Sequence, residues 1–141
     1  MKKIIAKPQF FFLMLALLIL ISGLVNKEST IEIAISGTFM NLKTWSLCLF
    51  STLFFILIAI NYASLTITQK TPKKILTILH MVLQLIAMMP LLYFIYNSDV
   101  SRTYQEVSQM NLVLVLAFVL FILASVIHLI NFIASMLTKK D

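Results

Sequence analysis

The sequence predicts an all-α integral membrane protein, a four-helix bundle that forms a single domain over residues 1–141. Four long apolar runs predict it, at residues 10–25, 45–67, 75–96 and 110–137. No Asp, Glu, Lys or Arg lies inside any run, and a helix of about 20 apolar residues crosses a bilayer core of roughly 30 Å. Because 61% of the residues are hydrophobic, a water-soluble domain is not expected.

The positions of the basic residues predict how the helices are oriented. Eight of the eleven Lys and Arg residues lie on one side of the predicted bundle: Lys2, Lys3, Lys7, Lys70, Lys73, Lys74, Lys139 and Lys140. The opposite loops contain only Lys27, Lys43 and Arg102, together with acidic residues. The positive-inside rule therefore predicts cytoplasmic termini in a bacterial inner membrane. Since each Lys cluster lies beside a span, the net charge of +6 indicates a lipid surface and no nucleic-acid partner.

The first run follows a basic start, as the apolar region of a signal peptide does. Ile21 occupies the position where a cleavage site requires a small residue. We therefore expect a retained helix.

The first external loop, residues 26–44, has the pattern of a short strand. Ile31, Ile33 and Ile35 lie at every second position, which is the period of a half-buried strand. This predicts a strand-like segment on the outer face, with the three isoleucines turned toward the helices.

Two prolines near the third run and the length of the fourth run lead to further predictions. Pro90 lies inside the third run and predicts a kink, because proline lacks a backbone donor. Pro72 lies before this run and is expected to break the chain between helices. The fourth run is longer than a bilayer core requires, which predicts a tilted or protruding helix.

Small and polar residues inside the runs predict where the helices meet, since helices in lipid associate through such side chains. They recur at spacings of three and four, which is the spacing of one helical face. The predicted packing residues of the second, third and fourth helices are Thr52, Ala59, Ala63 and Thr66; Thr77, His80, Gln84 and Ala87; and Ala117, Ala124, His128, Asn131 and Ser135.

His80 and His128 are predicted to face each other in the inner half of the bundle. They lie about 7 Å and about 13 Å from the cytoplasmic ends of their helices at 1.5 Å per residue. One interpretation is a bis-histidine heme or a metal site, as in a small electron carrier. The other is a pair of interhelical hydrogen bonds, with Gln84 and Asn131 as the partners. Because no further ligand accompanies the two histidines, we expect no cofactor and no metal.

The same runs contain little that could support transport or catalysis. An ion-coupled transporter normally keeps a charged side chain within the membrane, and these runs have none. Small-solute transport remains a second alternative, and it requires a water-filled cavity lined by Asn61, Gln84 and His128. The serines in the runs have no acidic neighbour, so no hydrolase or other enzyme is expected.

Two segments carry a family resemblance. Glu32–Phe39 contains an acidic residue, alternating isoleucines, Thr38 and an aromatic residue, and it runs into the second helix. Asn131, Ser135 and Lys139 end the chain at the spacing N-x-x-x-S-x-x-x-K. In this order the segments resemble the C-terminal four helices of the catalytic subunit of heme-copper terminal oxidases, in which a histidine-rich outer loop leads into a heme-ligating helix.

The chain departs from that family where the family binds its metals. The family's histidine and aspartate before the threonine correspond to Ser36 and Gly37, and its two heme-ligand histidines to Thr44 and Ser46. Arg102 stands where the family has an arginine near the heme propionates. The resemblance therefore implies a related fold without the oxygen-reducing site.

These observations together predict a non-catalytic small inner-membrane protein. It would contact the lipid bilayer and pack with other integral membrane proteins or with a second copy of itself. The resemblance implies a role as an accessory or assembly subunit of a respiratory complex. The bis-histidine heme carrier and the small-solute transporter are the two alternatives.

Overall fold

The computed structural model describes residues 7–35, 38–97 and 104–137, which form four helices and one two-stranded sheet. The elements in chain order are α1 (Pro8–Val25), β1 (Thr30–Ile35), β2 (Thr38–Lys43), α2 (Thr44–Ile67), α3 (Lys74–Tyr96) and α4 (Tyr104–Leu137). All four helices are long and apolar enough to cross a membrane. The predicted set of four apolar helices is therefore confirmed.

The fourth helix differs most from its predicted run. α4 begins at Tyr104 rather than near residue 110 and has 34 residues, so it is about 51 Å long at 1.5 Å per residue. This length exceeds a bilayer core of roughly 30 Å. Val107, in the added turns, is fully buried, and α4 contacts β1. The extra length therefore belongs to the end of the fold that carries the β-hairpin.

The connection between α2 and α3 is short, and its second residue is left-handed. Gln69 has a φ of 55°, which residues other than glycine adopt mainly at helix ends. The Lys70 amide donates to the Leu65 carbonyl at 2.8 Å, and the Gln69 amide donates to the Thr66 carbonyl at 3.1 Å. These two bonds satisfy two of the last four carbonyls of α2. Pro72 follows in the non-helical stretch, and α3 then runs without a break through Pro90.

The helices pack as two pairs around an aromatic core. α1 packs mainly on α2, and α3 packs mainly on α4, while the contacts between the two pairs are fewer. Phe12, Phe55 and Tyr62 are at most 1% exposed in the centre of this core. Near the C-terminal ends of α1 and α3, the Ser22 and Tyr96 hydroxyls lie 3.1 Å apart, which joins the two helices.

The predicted strand-like segment is the first strand of a β-hairpin. β1 pairs with β2 in antiparallel register, with Ile31 opposite Leu42 and Ile33 opposite Met40. Ile31 is 3% exposed and Ile33 is half-buried, so this face of β1 is turned toward the helices. The side chain of Ile35 lies outside the described part of the chain.

The second strand was not predicted from the sequence. Its signal is the dipeptide Ser36-Gly37 between two runs of strand-forming residues, since such a pair can form the loop of a hairpin. These two loop residues lie outside the described part of the chain.

Candidate functional site in the bundle interior

Two histidine rings stack against each other inside the bundle. The ring centroids of His80 on α3 and His128 on α4 lie 4.8 Å apart, with 28° between the ring planes. The side chains are 0% and 6% exposed. Each histidine lies on the face of its helix that carries the small and polar residues, and the packing of α3 on α4 brings these faces together. The structure thus places the two rings in the contact that their spacing predicts.

Each ring is also bound to α2 by one hydrogen bond. The Tyr62 hydroxyl lies 3.0 Å from His80 Nδ1, and Asn61 Nδ2 lies 3.3 Å from His128 Nε2. An amide nitrogen only donates, so His128 Nε2 accepts the bond from Asn61. Because Asn61 and Tyr62 are neighbours on α2, this helix is joined to both α3 and α4 at one level of the bundle.

The partners of the histidines therefore differ from the prediction, which named Gln84 and Asn131. That prediction is wrong because the helices present Asn61 and Tyr62 of α2 to the rings instead. Tyr62 is easily missed in the sequence, where its ring counts as one more apolar residue in a long run. Its position inside a predicted span is the sequence signal that could have found it, because a tyrosine hydroxyl in lipid needs a hydrogen-bond partner.

An aromatic ring of α1 completes the stack. Phe12 lies 4.7 Å from the His80 ring and 5.6 Å from the Tyr62 ring, with interplanar angles of 22° and 8°. It also stacks on Phe55 at 6.2 Å. These separations fall in the range in which paired rings attract each other beyond simple burial. The interior therefore combines rings from all four helices.

Asn131 forms a second polar contact, nearer the α2–α3 connection. Its Oδ1 accepts from the Lys73 amide at 2.9 Å, and its Nδ2 donates to Thr77 Oγ1 at 2.9 Å. Ser135 Oγ donates to the Asn131 carbonyl at 2.7 Å. The side chain of Asn131 is fully buried. It therefore satisfies polar groups at the start of α3, where a helix leaves amide groups without internal partners.

Replacing Asn131 with leucine, which has a similar volume, is expected to lower the free energy of unfolding by about 1 kcal/mol. The Lys73 amide and the Thr77 hydroxyl would each lose the asparagine partner in an apolar surrounding. The measurement is unfolding in mixed detergent–SDS micelles, followed by far-UV circular dichroism. Ile130→Leu is the matched control, since Ile130 is 52% exposed on the same helix. Equal stability of the two variants would contradict this account.

The remaining predicted packing residues of α2 have different environments. Thr52 and Ala59 are buried, Ala63 is half-buried and Thr66 is exposed. Thr52 Oγ1 donates to the carbonyl of Ala16 on α1 at 3.4 Å. The face of α2 that carries these residues is thus covered by α1 near its middle, whereas Thr66 at its C-terminal end is uncovered.

A separate apolar cavity lies between this interior and the β-hairpin, and we call it the hairpin pocket. Its volume is about 450 Å³. The predicted packing residues Ala87 and Ala117 belong to its lining, and both are buried. Ala124, farther along α4, is fully buried. The hairpin pocket is lined by Ile31, Ile33, Leu42, Leu47, Phe50, Ser51, Phe54, Ala87, Met88, Leu91, Leu114, Ala117, Phe118 and Phe121.

Several polar atoms of the interior are buried without a hydrogen-bond partner in the described structure. They are His80 Nε2, His128 Nδ1 and both amide atoms of Gln84. The two ring nitrogens do not fit a bis-histidine heme, because axial ligands must stand on opposite sides of a wide porphyrin. Here the rings touch face to face instead. Among the described residues, no group of three or more His, Cys, Asp or Glu side chains lies together.

The described cavities do not favour solute transport either. The hairpin pocket and a second cavity, beside α1 and Tyr96, have almost entirely apolar linings. Neither lining includes Asn61, Gln84 or His128. Neither of these two cavities therefore has the lining that the transporter alternative requires.

Thr44 and Ser46, which correspond to the heme ligands of the oxidase family, differ in burial. Thr44 is fully buried at the start of α2, and its Oγ1 accepts from Ser29 Oγ at 3.1 Å. Ser46, two residues later, is exposed. Arg102 and Lys139 lie outside the described residues.

Comparison with protein-family models, with curated proteins and with solved structures finds no match to this chain. The resemblance to heme-copper oxidases therefore stays a prediction from the sequence.

Proposed function

We propose that this chain is a non-catalytic multi-pass protein of a bacterial inner membrane, and that it acts by packing against another integral membrane protein. The Lys clusters favour cytoplasmic termini under this proposal. The resemblance to oxidase helices favours an accessory or assembly role in a respiratory complex. The observation that carries the proposal is the uncovered apolar surface of α4.

α4 is the least covered helix of the four. Only 17% of its most apolar 18-residue window is buried, whereas the other three helices reach 33–39%. Its exposed face includes a row of residues at alternating spacings of three and four, which is the spacing of a seam at which two helices cross at about 20°. We call this face the α4 outer stripe, formed by Leu112, Val115, Val119, Ile122, Val126, Leu129, Ile133 and Met136.

The composition of the α4 outer stripe suits contact with a second helix. Five of its eight residues are valine or isoleucine, and a β-branched side chain keeps one preferred rotamer in a helix. Such side chains lose little freedom when a partner covers them. Helices in lipid associate through van der Waals packing, so a rigid surface with long, regular spacing favours a partner helix over fluid chains.

The interior supports the non-catalytic part of the proposal. Tyr62, Asn61 and Asn131 direct their polar atoms at other helices or at a helix end. These bonds hold the bundle together, which is the usual use of uncharged polar side chains in a membrane. A stable bundle of this kind can present one helix face to a partner.

A photo-crosslinking residue tests the proposal directly. With the residue at Val119 or at Val126, we expect an adduct of one discrete larger mass in membranes of the native host. With the residue at Leu57 or Ile60 of α2, we expect no such adduct, although both positions are 57% exposed. The readout is a denaturing gel, followed by mass spectrometry of the adduct.

A change in size provides the second readout. Val119→Trp should shift the protein to a smaller particle on a native gel, because the bulky ring separates the helices at the α4 outer stripe. Ile60→Trp should leave the size unchanged. The proposal is overturned if Val119 and Ile60 crosslink alike, or if the particle has the mass of one chain before any substitution.

A further inference from the structure

The hairpin pocket is open toward the surroundings of the bundle between α2 and α4. Phe50 of α2 and Phe118 of α4 belong to its lining and are 71% and 62% exposed, so these rings flank the opening. The inner wall is buried and includes Met88 and Ala117. Since α2 and α4 make few contacts with each other, the gap between them gives access from the side.

The pocket spans about a third of the thickness of a bilayer core and ends near its middle. Its lining on α2 runs from Leu47 to Phe54 and on α4 from Leu114 to Phe121, which is about 10 Å on each helix at 1.5 Å per residue. Phe54 lies ten residues after the start of α2, or about 15 Å inside, against a core of roughly 30 Å. The pocket therefore lies at the depth of the chains of one leaflet.

The apolar lining of the hairpin pocket favours a hydrocarbon ligand. Ser51 is the only polar side chain among the described residues of the lining, and a bound water needs two to four polar partners. A volume of about 450 Å³ lies within the roughly 300–1,000 Å³ of small-molecule sites. Left empty, such a volume would deprive its lining of van der Waals contacts.

The position of the β-hairpin argues against a partner helix as the occupant of the hairpin pocket. Ile31, Ile33 and Leu42 cover the outer end of the pocket. A transmembrane helix is about 10–12 Å wide with its side chains and must continue to the membrane surface, so this cover would block it. A single flexible chain can enter from the side beneath the hairpin.

We propose that the hairpin pocket binds one acyl chain of a phospholipid from the leaflet on the hairpin side. The chain lies between α2 and α4 and fills the space left by the small side chains of Ala87 and Ala117. This site is distinct from the α4 outer stripe, so it rests on the membrane insertion proposed above but not on a partner protein.

A photoreactive lipid tests the proposal. The purified protein in mild detergent is titrated with phosphatidylethanolamine that carries a diazirine in mid-chain, and labelled residues are mapped by mass spectrometry. We expect labelling of Phe54 and Met88 to saturate at one probe per protein. Labelling of Ile60, an exposed residue of α2 outside the pocket, should rise in proportion to the probe and reports contact with lipid in general.

Filling the pocket provides the control. Ala117→Phe should lower labelling of Met88 several-fold, while Val119→Phe on the exposed face of α4 should leave it unchanged. Ser51→Phe fills the pocket from α2 and replaces Ala117→Phe if that variant does not fold. Labelling of Met88 that never saturates, or that both pocket-filling variants leave unchanged, would overturn the proposal. In membranes of the native host, a photo-crosslinking residue placed at Phe54 or Met88 should form no protein adduct; an adduct to another protein chain there would also overturn the proposal, whether or not the α4 outer stripe has its own partner.

Discussion

Replacing Phe12 with alanine is expected to lower the free energy of unfolding by about 3–5 kcal/mol, the range of Phe→Ala changes in well-packed interiors. The ring of Phe12 is fully buried and stacks on His80, Tyr62 and Phe55. Its removal leaves a cavity where α1 meets the other helices, and the rigid neighbouring rings cannot collapse into it. The measurement is unfolding in mixed detergent–SDS micelles, followed by circular dichroism.

Phe10→Ala is the matched control for this prediction. Phe10 lies two residues earlier on α1 and is 57% exposed, so the same change at this position removes little packing. We expect less than a quarter of the effect of Phe12→Ala. If the two variants unfolded at the same SDS fraction, the stack of rings in the interior would not hold α1 in place.

Replacing Gly23 with alanine is expected to destabilise the protein although alanine favours helices. A Cβ atom at Gly23 would lie 2.5 Å from Cys48 Cβ and 3.4 Å from a ring carbon of Trp45. Neither Cβ can rotate away, so α1 and α2 must separate. Overpacking costs up to about 3 kcal/mol, and the helix propensity of alanine offsets roughly 1 kcal/mol of it, which leaves a net loss of about 2 kcal/mol.

Cys48, the residue that a Cβ at Gly23 would meet, allows a double-mutant cycle. Cys48→Gly removes the Cβ that alanine would meet, so Gly23→Ala should be much less harmful in that background. The fluorescence of Trp45, the only tryptophan, follows the opening of this contact during unfolding. An equal loss of stability in both backgrounds would show that Cys48 does not limit the approach of the two helices.

The helices could be predicted closely because lipid imposes a strong and local requirement. A helix that crosses a membrane needs a long run without charges, and this requirement is visible residue by residue. The first three helices end at the predicted Val25, Ile67 and Tyr96. Only the start of α4 was missed, because its first turns contain polar residues such as Gln105 and Glu106.

The interior could be predicted only in part. The helical spacing of His80 and His128 predicted that the rings would meet, since a periodic face is a local property. Their hydrogen-bond partners depend on how far α2 is rotated and shifted against α3 and α4. That depends on the sum of many packing contacts, such as those of Phe12 and Tyr62, which no spacing rule contains.

The amino-acid sequence by itself determined that four charge-free segments become helices, because backbone polar groups in lipid must be satisfied within each segment. The tertiary structure decided which faces of these helices are covered. It pairs Asn61 and Tyr62 with the histidines, leaves the α4 outer stripe exposed and opens the hairpin pocket. The physical reason is that nearly all faces of these helices are apolar, so shape complementarity rather than hydrophobicity selects their contacts.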